Sequence, residues 1–420
     1  MGALAPPLLH LSLVVGGELR DAAGGKLGRV DDLIVRLSED EYPPVTGVVA
    51  SVAGRQVFVP ADQVAEIAPG RVTLAGERLD LQRFRRRPQE VLLRKDVLDR
   101  QLINVDGARL VRANEIELAR LDGWYRVGGV DVGLRGLLRR LLPRALAHRI
   151  EPGAFLDWAS LEPFTGHVPT LRLRVPHPKL AKLHPAQLAD LVEAASHAQG
   201  EEIISAIAAD PEREADVFEA LEEGHQREFL EGRSDEEVAA LLARMEPDDA
   251  ADLVLQLPTE RREPVVAHLA PVQARRVRAL LGFDPATAGG LMSPDFLCVY
   301  ANATREEALE RVRRSALPPE AVAWVYAMNT SRRLRGGITL AELLRAEEGS
   351  RLWAAIRPVQ SVRPDADLEE IARLMTDFDL TVLPVIDDEE RMLGIVTVDD
   401  VLELVLPEGW RRRFGLLGGG

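Results

Sequence analysis

The amino-acid sequence predicts a multidomain chain that passes from small all-β barrels through an all-α superhelix to a duplicated α/β part. Three observations carry that expectation. Short β-type runs punctuated by paired glycines and prolines fill residues 11–74. The helical phrase HPAQLADLV at 184–192 returns as EPDDAADLV at 246–254, and RLRGGITLAELL at 333–344 returns as RMLGIVTVDDVL at 391–402. A length of 420 residues, against about 100–200 for one domain, requires several cores. The apolar share of 46% and charged share of 28% are those of an ordinary globular chain, so neither disorder nor a fibrous repeat is expected.

In the first part the runs LSLVV, DLIVRL, VTGVVASV and RQVFVP are separated by Gly16-Gly17, Gly24-Gly25, Pro43-Pro44 and Gly54, the spacing of a small barrel. With one inserted residue, GKLGRVDDLIVRL from Gly25 aligns with GARLVRANEIELARL from Gly107. Leu27, Arg29, Leu33 and Val35 then correspond to Leu110, Arg112, Ile116 and Leu118. Two related barrels are expected, over 1–88 and 89–170. GGKLGRVDDLIV followed by VFVPADQV resembles the PRC-barrel family, whose small β-barrel serves as an adaptor in larger proteins. FLDWASLEP at 155–163 is the expected counterpart of VFVPADQV in the second copy. It is displaced by an insertion, 133–150, with five arginines and no acidic residue. There Leu134, Leu137, Leu138, Leu141, Leu142 and Leu146 fall at helical spacing. The expected product is a basic amphipathic helix broken at Pro143, either packed on the barrel or making a peripheral contact with anionic lipid or an acidic membrane-protein loop.

From residue 178 to 282 the pattern becomes helices joined by very short connections, several opened by proline, whose missing N–H costs nothing at a first helical position. The all-α domain is expected over 171–283. It is acidic: between Glu193 and Asp252 there are 19 acidic residues against four arginines. The formal charge of the whole chain, −15, disfavours nucleic acid as a partner, because phosphate recognition needs a basic field. Acidic runs are most often solvated helix faces, so spacing has to select among them.

The last domain, expected over 284–413 with a tail at 414–420, repeats a β-α-β-β-α unit. MSPDFLCVYANATREEALERV matches IRPVQSVRPDADLEEIARLM, and GIVTVDD at 394–400 is close to the pattern of tandem CBS domains; the first copy has GGITLAE at 336–342, with Glu342 at the usual aspartate. Taken together, 171–413 resembles the cytosolic part of MgtE-type magnesium transporters, an MgtE N domain followed by a CBS pair. The most specific matches are LMSP after DPATAGG and the run DFDLTVLPVIDDEERMLGIVTVDDVLELV.

That resemblance implies a mechanism: Mg2+ bridges acids of the helical domain to acids of the CBS pair and holds a compact state, which swings open without metal. Matched position by position, the metal-contacting acids fall on Glu369, Asp379, Asp400 and Glu403 in the second CBS copy, and on Asp248, Asp252 and Asp216 in the helical domain. Elementary geometry agrees for two pairs. Asp248 and Asp252 at i, i+4, and Asp400 and Glu403 at i, i+3, each share a helix face and can offer oxygens to a hard cation. The resemblance also implies a homodimer through the CBS pair, with Ile371, Leu374, Leu402 and Val405 on the partner-facing helices. The membrane domain that follows the CBS pair in that family is not found in these 420 residues, and Trp410, Arg411, Arg412 and Arg413 replace its acidic connecting helix. The expectation is a sensor without its own pore, regulating a membrane metal transporter in trans.

Two rival readings stay open. The CBS pair could bind ATP or AMP, with Thr397 and Asp400 on the ribose, or the barrels could make the chain a structural adaptor. Asp400 equally suits a strand-to-helix cap. No enzyme is expected: the eight histidines form no HExxH pair, Cys298 sits in the apolar run FLCVY, and no phosphate-binding glycine fingerprint occurs. Trp158, Trp324 and Trp353 are expected in cores. The longest stretch free of Asp, Glu, Lys and Arg, residues 1–17, falls short of the ~20 apolar residues of a membrane span and lacks a basic leader. With one cysteine and no intramolecular disulfide, a cytoplasmic location follows as the expectation.

Overall fold

The computed structural model describes residues 9–37, 40–77, 84–87, 90–121, 123–133, 155–164 and 179–405. Residues 134–150 of the basic insertion, and Trp410 with the three arginines after it, lie outside the described residues. Contacts divide the chain into two compact units at Asp210 and Pro211.

The first unit begins with β1 (Leu9–His10), a single helical turn α1 (Leu11–Val14), β2 (Glu18–Arg20) and β3 (Lys26–Arg36). LSLVV is therefore mostly a helical turn, not a strand. The hairpin β4 (Val45–Val52) and β5 (Arg55–Pro60) turns through Ala53 and Gly54, both at positive φ (49° and 76°), the tight turn that suits strand twist. β6 (Val64–Ala68) and β7 (Arg71–Leu74) complete the first half. The second half holds β8 (Glu90–Leu92), β9 (Gln101–Asn104), β10 (Arg109–Arg112), β11 (Glu115–Leu121), β12 (Trp124–Asp131), β13 (Phe155–Asp157) and β14 (Leu161–Pro163). FLDWASLEP forms strand, 3-10 turn and strand, as VFVPADQV does with β5, Ala61–Gln63 and β6.

The halves are not separate barrels. β1 pairs antiparallel with β11 (Leu9↔Leu118, His10↔Glu117), and β8 pairs antiparallel with β3 (Ile34↔Leu92, Val35↔Val91). Each half lends its opening strand to the other, and one apolar core runs from Leu9 through Leu33, Val59 and Ile116 to Trp158 and Leu161. The expected boundary at residue 88 thus falls inside an interlocked pair. Buried acids at equivalent repeat positions staple the exchanged segments. Asp32 accepts hydrogen bonds from the backbone N–H of Arg94 (2.8 Å) and Lys95 (3.1 Å) across the exchange and of Leu33 (2.8 Å). Glu115 accepts from the N–H groups of Ser12 and Ile116, both 3.1 Å, and from the Ser12 hydroxyl. These carboxylates satisfy N–H groups that a helical turn leaves orphaned.

Helices α2 (Pro185–Ala194) and α3 (His197–Ile207) belong to this first unit, α2 packing on β10. The division by contacts comes after them, at Asp210 and Pro211.

The second unit opens with α4 (Pro211–Ala220), α5 (Glu223–Leu230), α6 (Asp235–Leu242), α7 (Pro247–Gln256), α8 (Thr259–His268) and α9 (Pro271–Leu280). Proline at the first position of α7 and α9 and a reciprocal Ser234–Glu237 capping box on α6 set their starts. Each helix packs on the one two places along, α4 on α6, α5 on α7, α6 on α8 and α7 on α9, the stacking a superhelix needs.

The connector carries the short helix α10 (Ala288–Leu291) and is stitched to the second CBS copy. The N–H of Ala288 donates to Ala366 O (2.9 Å), that of Gly289 to Pro364 O (2.8 Å), and Ser293 bridges Ile395. Gly290 must be glycine for this path, since a Cβ there would lie 2.4 Å from Asp284 O and 2.5 Å from Pro285 Cα.

The first CBS copy contains β15 (Cys298–Tyr300), α11 (Arg305–Arg313), α12 (Pro319–Val322), β16 (Trp324–Met328), β17 (Leu334–Thr339) and α13 (Leu340–Arg345). The second contains α14 (Leu368–Asp377), β18 (Val382–Ile386), β19 (Met392–Thr397) and α15 (Val398–Val405). β15 lies parallel to β16, whereas its counterpart in the second copy is the lone bridge of Val362 to Val385. Three sequence expectations are corrected. Ile371 is fully buried and belongs to the core, leaving Leu402 and Val405 as the exposed apolar positions; Leu374 is half-buried. Trp353 is 66% exposed, outside any core, and Trp324 is only partly buried, while Trp158 is buried as expected.

Candidate metal centre

The acids that matter begin at the start of α7. Glu246 is its N-cap, Pro247 fills the first position, Asp248 and Asp249 occupy the first turn, and Asp252 follows one turn later. Carboxylates suit this end because the first N–H groups point outward and the helix dipole is positive there. Burial does not suit them. Asp248 is only 8% exposed, and its Oδ1 is buried with no hydrogen-bond partner.

Burial pushes the Asp248 carboxyl well above the usual range, and the charge of Asp400 is the next contribution. Asp249 is pushed up to about 9 by burial, then by Asp248, Glu219 and Asp400. Glu246 is pushed up to about 7 by burial, then by Glu320, Glu219, Asp400 and Asp295. Asp400 acts on all three, whereas Glu320 of the first copy is among the largest contributions only at Glu246. The border therefore gathers acids from α4, α7, the connector, α12 and α15.

Ionised carboxylates without donors are costly to bury, so such a group either takes up protons or holds a cation. Among the described residues no three of these acids bring oxygens within 4.8 Å of one another. Mg2+, which usually keeps several of its waters, fits such spaced oxygens better than a cation needing a close all-protein cage. The donor set is entirely hard oxygen, and the unpartnered Asp248 Oδ1 is the observation that fits an ion.

Of the residues selected from sequence, the structure brings Asp248 and Asp400 together. Asp252 is exposed, acts on Asp248, and lines a cavity of about 510 Å3 with Glu219, Asp249, Gln256 and Leu404. Asp400 Oδ2 accepts from the Thr397 hydroxyl (2.5 Å) and N–H (3.2 Å), so one oxygen caps α15 as the alternative reading anticipated. Glu342 makes the same contacts with Thr339 in the first copy. Glu369, in the first turn of α14, and Asp379, just past its end at φ 53°, are exposed and are not among the largest charges acting on Glu246, Asp248 or Asp249. Asp216 is exposed on α4; three residues on, Glu219 is the α4 acid that acts on Glu246 and Asp249 and accepts the Glu246 N–H (3.3 Å). Glu403 lies on α15, one turn after Asp400.

Sequence reasoning missed Glu219, Glu246, Asp249, Asp295 and Glu320. The doublet Asp248-Asp249 in EPDDAADLV was a usable signal for Asp249; the others depend on which elements meet.

Residues 183–286 match the family described as the MgtE intracellular N domain, and 288–349 and 353–407 each match the CBS domain family. Over 141 residues the chain is 43% identical to a magnesium transporter MgtE of Thermus thermophilus, covering 33% of this chain and 31% of the transporter. Over 147 residues it is 30% identical to a magnesium transporter MgtE of Enterococcus faecalis, covering 35% and 32%. The chain thus spans about a third of the length of these relatives. Among solved structures, the cytosolic domain of the Mg2+ channel MgtE in complex with ATP is similar at 33% identity and a TM-score of 0.51, covering 54% of this chain and 92% of that one. No helix among the described residues is long and apolar enough to cross a membrane.

Proposed function

The chain joins an MgtE intracellular N domain to a CBS pair homologous to MgtE cytosolic domains, and from that premise we propose that it is a non-catalytic, cytoplasmic regulator that responds to Mg2+. Without metal, the acids of α7 and Asp400 repel and favour separation of the helical domain from the CBS pair. A divalent cation supplies the positive charge that offsets this repulsion. Asp248 and Asp400 hold it from the two sides, with Asp252 and Glu403 one turn along on the same helices. Because the acids come together in one arrangement and stand apart in the other, metal affinity differs between the two, and that difference is what lets metal shift the equilibrium. The single observation supporting this reading is the buried, unpartnered Asp248 Oδ1.

Dimerisation through the CBS pair, using the exposed Leu402 and Val405, and action on a membrane metal transporter in trans belong to the same proposal. The β region serves as its PRC-barrel-like adaptor. The test is calorimetric titration with Mg2+, Mn2+ and Ca2+ alongside small-angle scattering. Compaction at about millimolar Mg2+ is expected for a weak, water-rich site; an unchanged radius of gyration between chelator and excess Mg2+ would reject the closure.

A second reading concerns ATP or AMP. Trp324 and Tyr326 stack at 6.3 Å beside Pro358, Phe378 and Pro384, and the Tyr326 hydroxyl is buried without a partner. This apolar cavity is a better place for an adenine ring than the Thr397–Asp400 cap, whose hydroxyl and carboxylate already bond each other. Titration with ATP and AMP, in the presence and absence of Mg2+, separates the two readings.

A further inference from the structure

Arg276 and Asp295 stand on either side of the connector between the helical domain and the CBS pair. Arg276 lies on α9, which packs directly on α7, the helix that carries Asp248 and Asp249. Asp295 comes two residues after Ser293, whose bridge to Ile395 fixes this stretch to the second CBS copy. Arg276 Nη1 lies 2.9 Å from Asp295 Oδ1 and 3.1 Å from Oδ2, with the Asp295 side chain only 18% exposed. Rotating the helical domain away about residues 281–294 would have to break this pair.

We propose that the Arg276–Asp295 pair is a metal-independent latch that keeps part of the population closed when the acidic border is bare. The proposal rests on the closure reading above but concerns the metal-free state. The physical reason is the position of the guanidinium. Asp295 is one of the acids whose charge acts on Glu246, so Arg276, which shares a cavity lining with Asp295, Arg311 and Arg314, brings a fixed positive charge into direct contact with one of the border acids. It offsets part of the repulsion at all metal concentrations. A partly exposed ion pair is a modest device, which suits a latch that metal must be able to override.

The experiment is small-angle scattering of the full chain in chelator, at low and high salt, for wild type, Arg276→Gln, Asp295→Asn and the exchanged pair Arg276→Asp with Asp295→Arg. Circular dichroism serves as the folding control. Each single substitution is expected to lower the compact-to-extended ratio about threefold at low salt, high salt should narrow the difference between each single variant and wild type because it screens the pair, and the exchanged pair should restore the ratio. The two single variants should then part company in Mg2+. Arg276→Gln leaves a bare acid and responds more steeply to metal, whereas Asp295→Asn removes one and responds less. Loss of packing alone would not shift the two metal responses in opposite directions from wild type. Wild type fully extended in chelator, single variants with the wild-type ratio, or an exchanged pair that stays open would each overturn the latch. Failure of Mg2+ to compact any variant, with the chelator differences intact, would instead reject the metal reading and leave the latch standing.

Discussion

Two regions of this chain bury carboxylates, and they do so in opposite ways. In the interlocked β region Asp32 is surrounded by three backbone N–H donors and Glu115 by two with a hydroxyl. On α7, Asp248 is as deeply buried and its Oδ1 meets no donor at all. The first arrangement is structural, since the acids complete the hydrogen bonding of segments exchanged between halves, even though burial outweighs the donors and pushes Asp32 up to about 7. The second stores unfavourable charge that something from outside must offset. Burial of an acid thus says little until its donors are counted.

The largest effect should come from the satisfied side. Asp32→Ala leaves the buried Leu33 N–H and the part-buried Arg94 and Lys95 N–H groups without their acceptor and should destabilise the β region by about 3 kcal/mol, near the upper end for unsatisfied buried donors. Calorimetric unfolding measures it, and a loss no greater than that of an exposed substitution would end the contrast. Asp248→Asn should act in the other direction in the absence of metal. Removing an unpaired buried charge should stabilise the closed unit by about 1–2 kcal/mol while weakening Mg2+ binding about tenfold, the scale of a lost charge-assisted contact. Denaturation in chelator and calorimetry on the same sample test both halves of that statement.

The sequence made these two acid sets unequally legible. The family resemblance selected Asp248, Asp252 and Asp400, and the i, i+4 spacing of the first two in EPDDAADLV agreed with it. The repeat alignment even set Asp32 against Glu115. Strand exchange was beyond reach, because β1 and β11 pair across more than a hundred residues and a local pattern reads the same whichever half a strand joins. The opening LSLVV was misread for a related reason: four helical residues are too few for periodicity to show. Ile371 and Leu374 both lie on the apolar side of α14, and only the packing separates the buried Ile371 from the half-buried Leu374. Glu219, Asp295 and Glu320 join the border through tertiary structure that their own neighbourhoods do not announce.

A graded effect should follow from pH. Burial and neighbouring acids raise Glu246 to about 7 and Asp249 to about 9 in the closed unit, while both return toward ordinary carboxylate values when exposed. Acids with raised values bind more protons closed than open. Their protonated forms favour closure fully below the ordinary range, and that contribution is lost as pH rises through about 7 and then about 9. Metal-free protein should therefore be more compact at pH 6 than at pH 8.5, and the Mg2+ needed for closure should be set partly by competition with protons. Scattering in chelator across that range checks the sign; greater compaction at the higher pH would mean the acids of α7 are solvated in the closed arrangement.

The smallest expected effect is at Asp379, and it is the sharpest test of whether position or mere acidity matters. Asp379 has the charge and the family-matched place that recommend it from sequence, yet it lies exposed beyond the end of α14 and outside the largest charges that act on Asp248. Its backbone sits at φ 53°, a left-handed conformation that aspartate and asparagine both tolerate. Asp379→Asn consequently changes the charge while sparing the backbone, which few substitutions at a positive φ can do. Asp379 is exposed and is not among the largest charges acting on Glu246, Asp248 or Asp249, so both folding stability and Mg2+ binding should move by less than about 0.5 kcal/mol, the range of ordinary surface substitutions. Calorimetry beside Asp248→Asn gives the comparison directly. An equal loss of affinity in the two variants would show that Asp379 reaches the ion, and the distinction between buried and exposed acids would no longer locate the site.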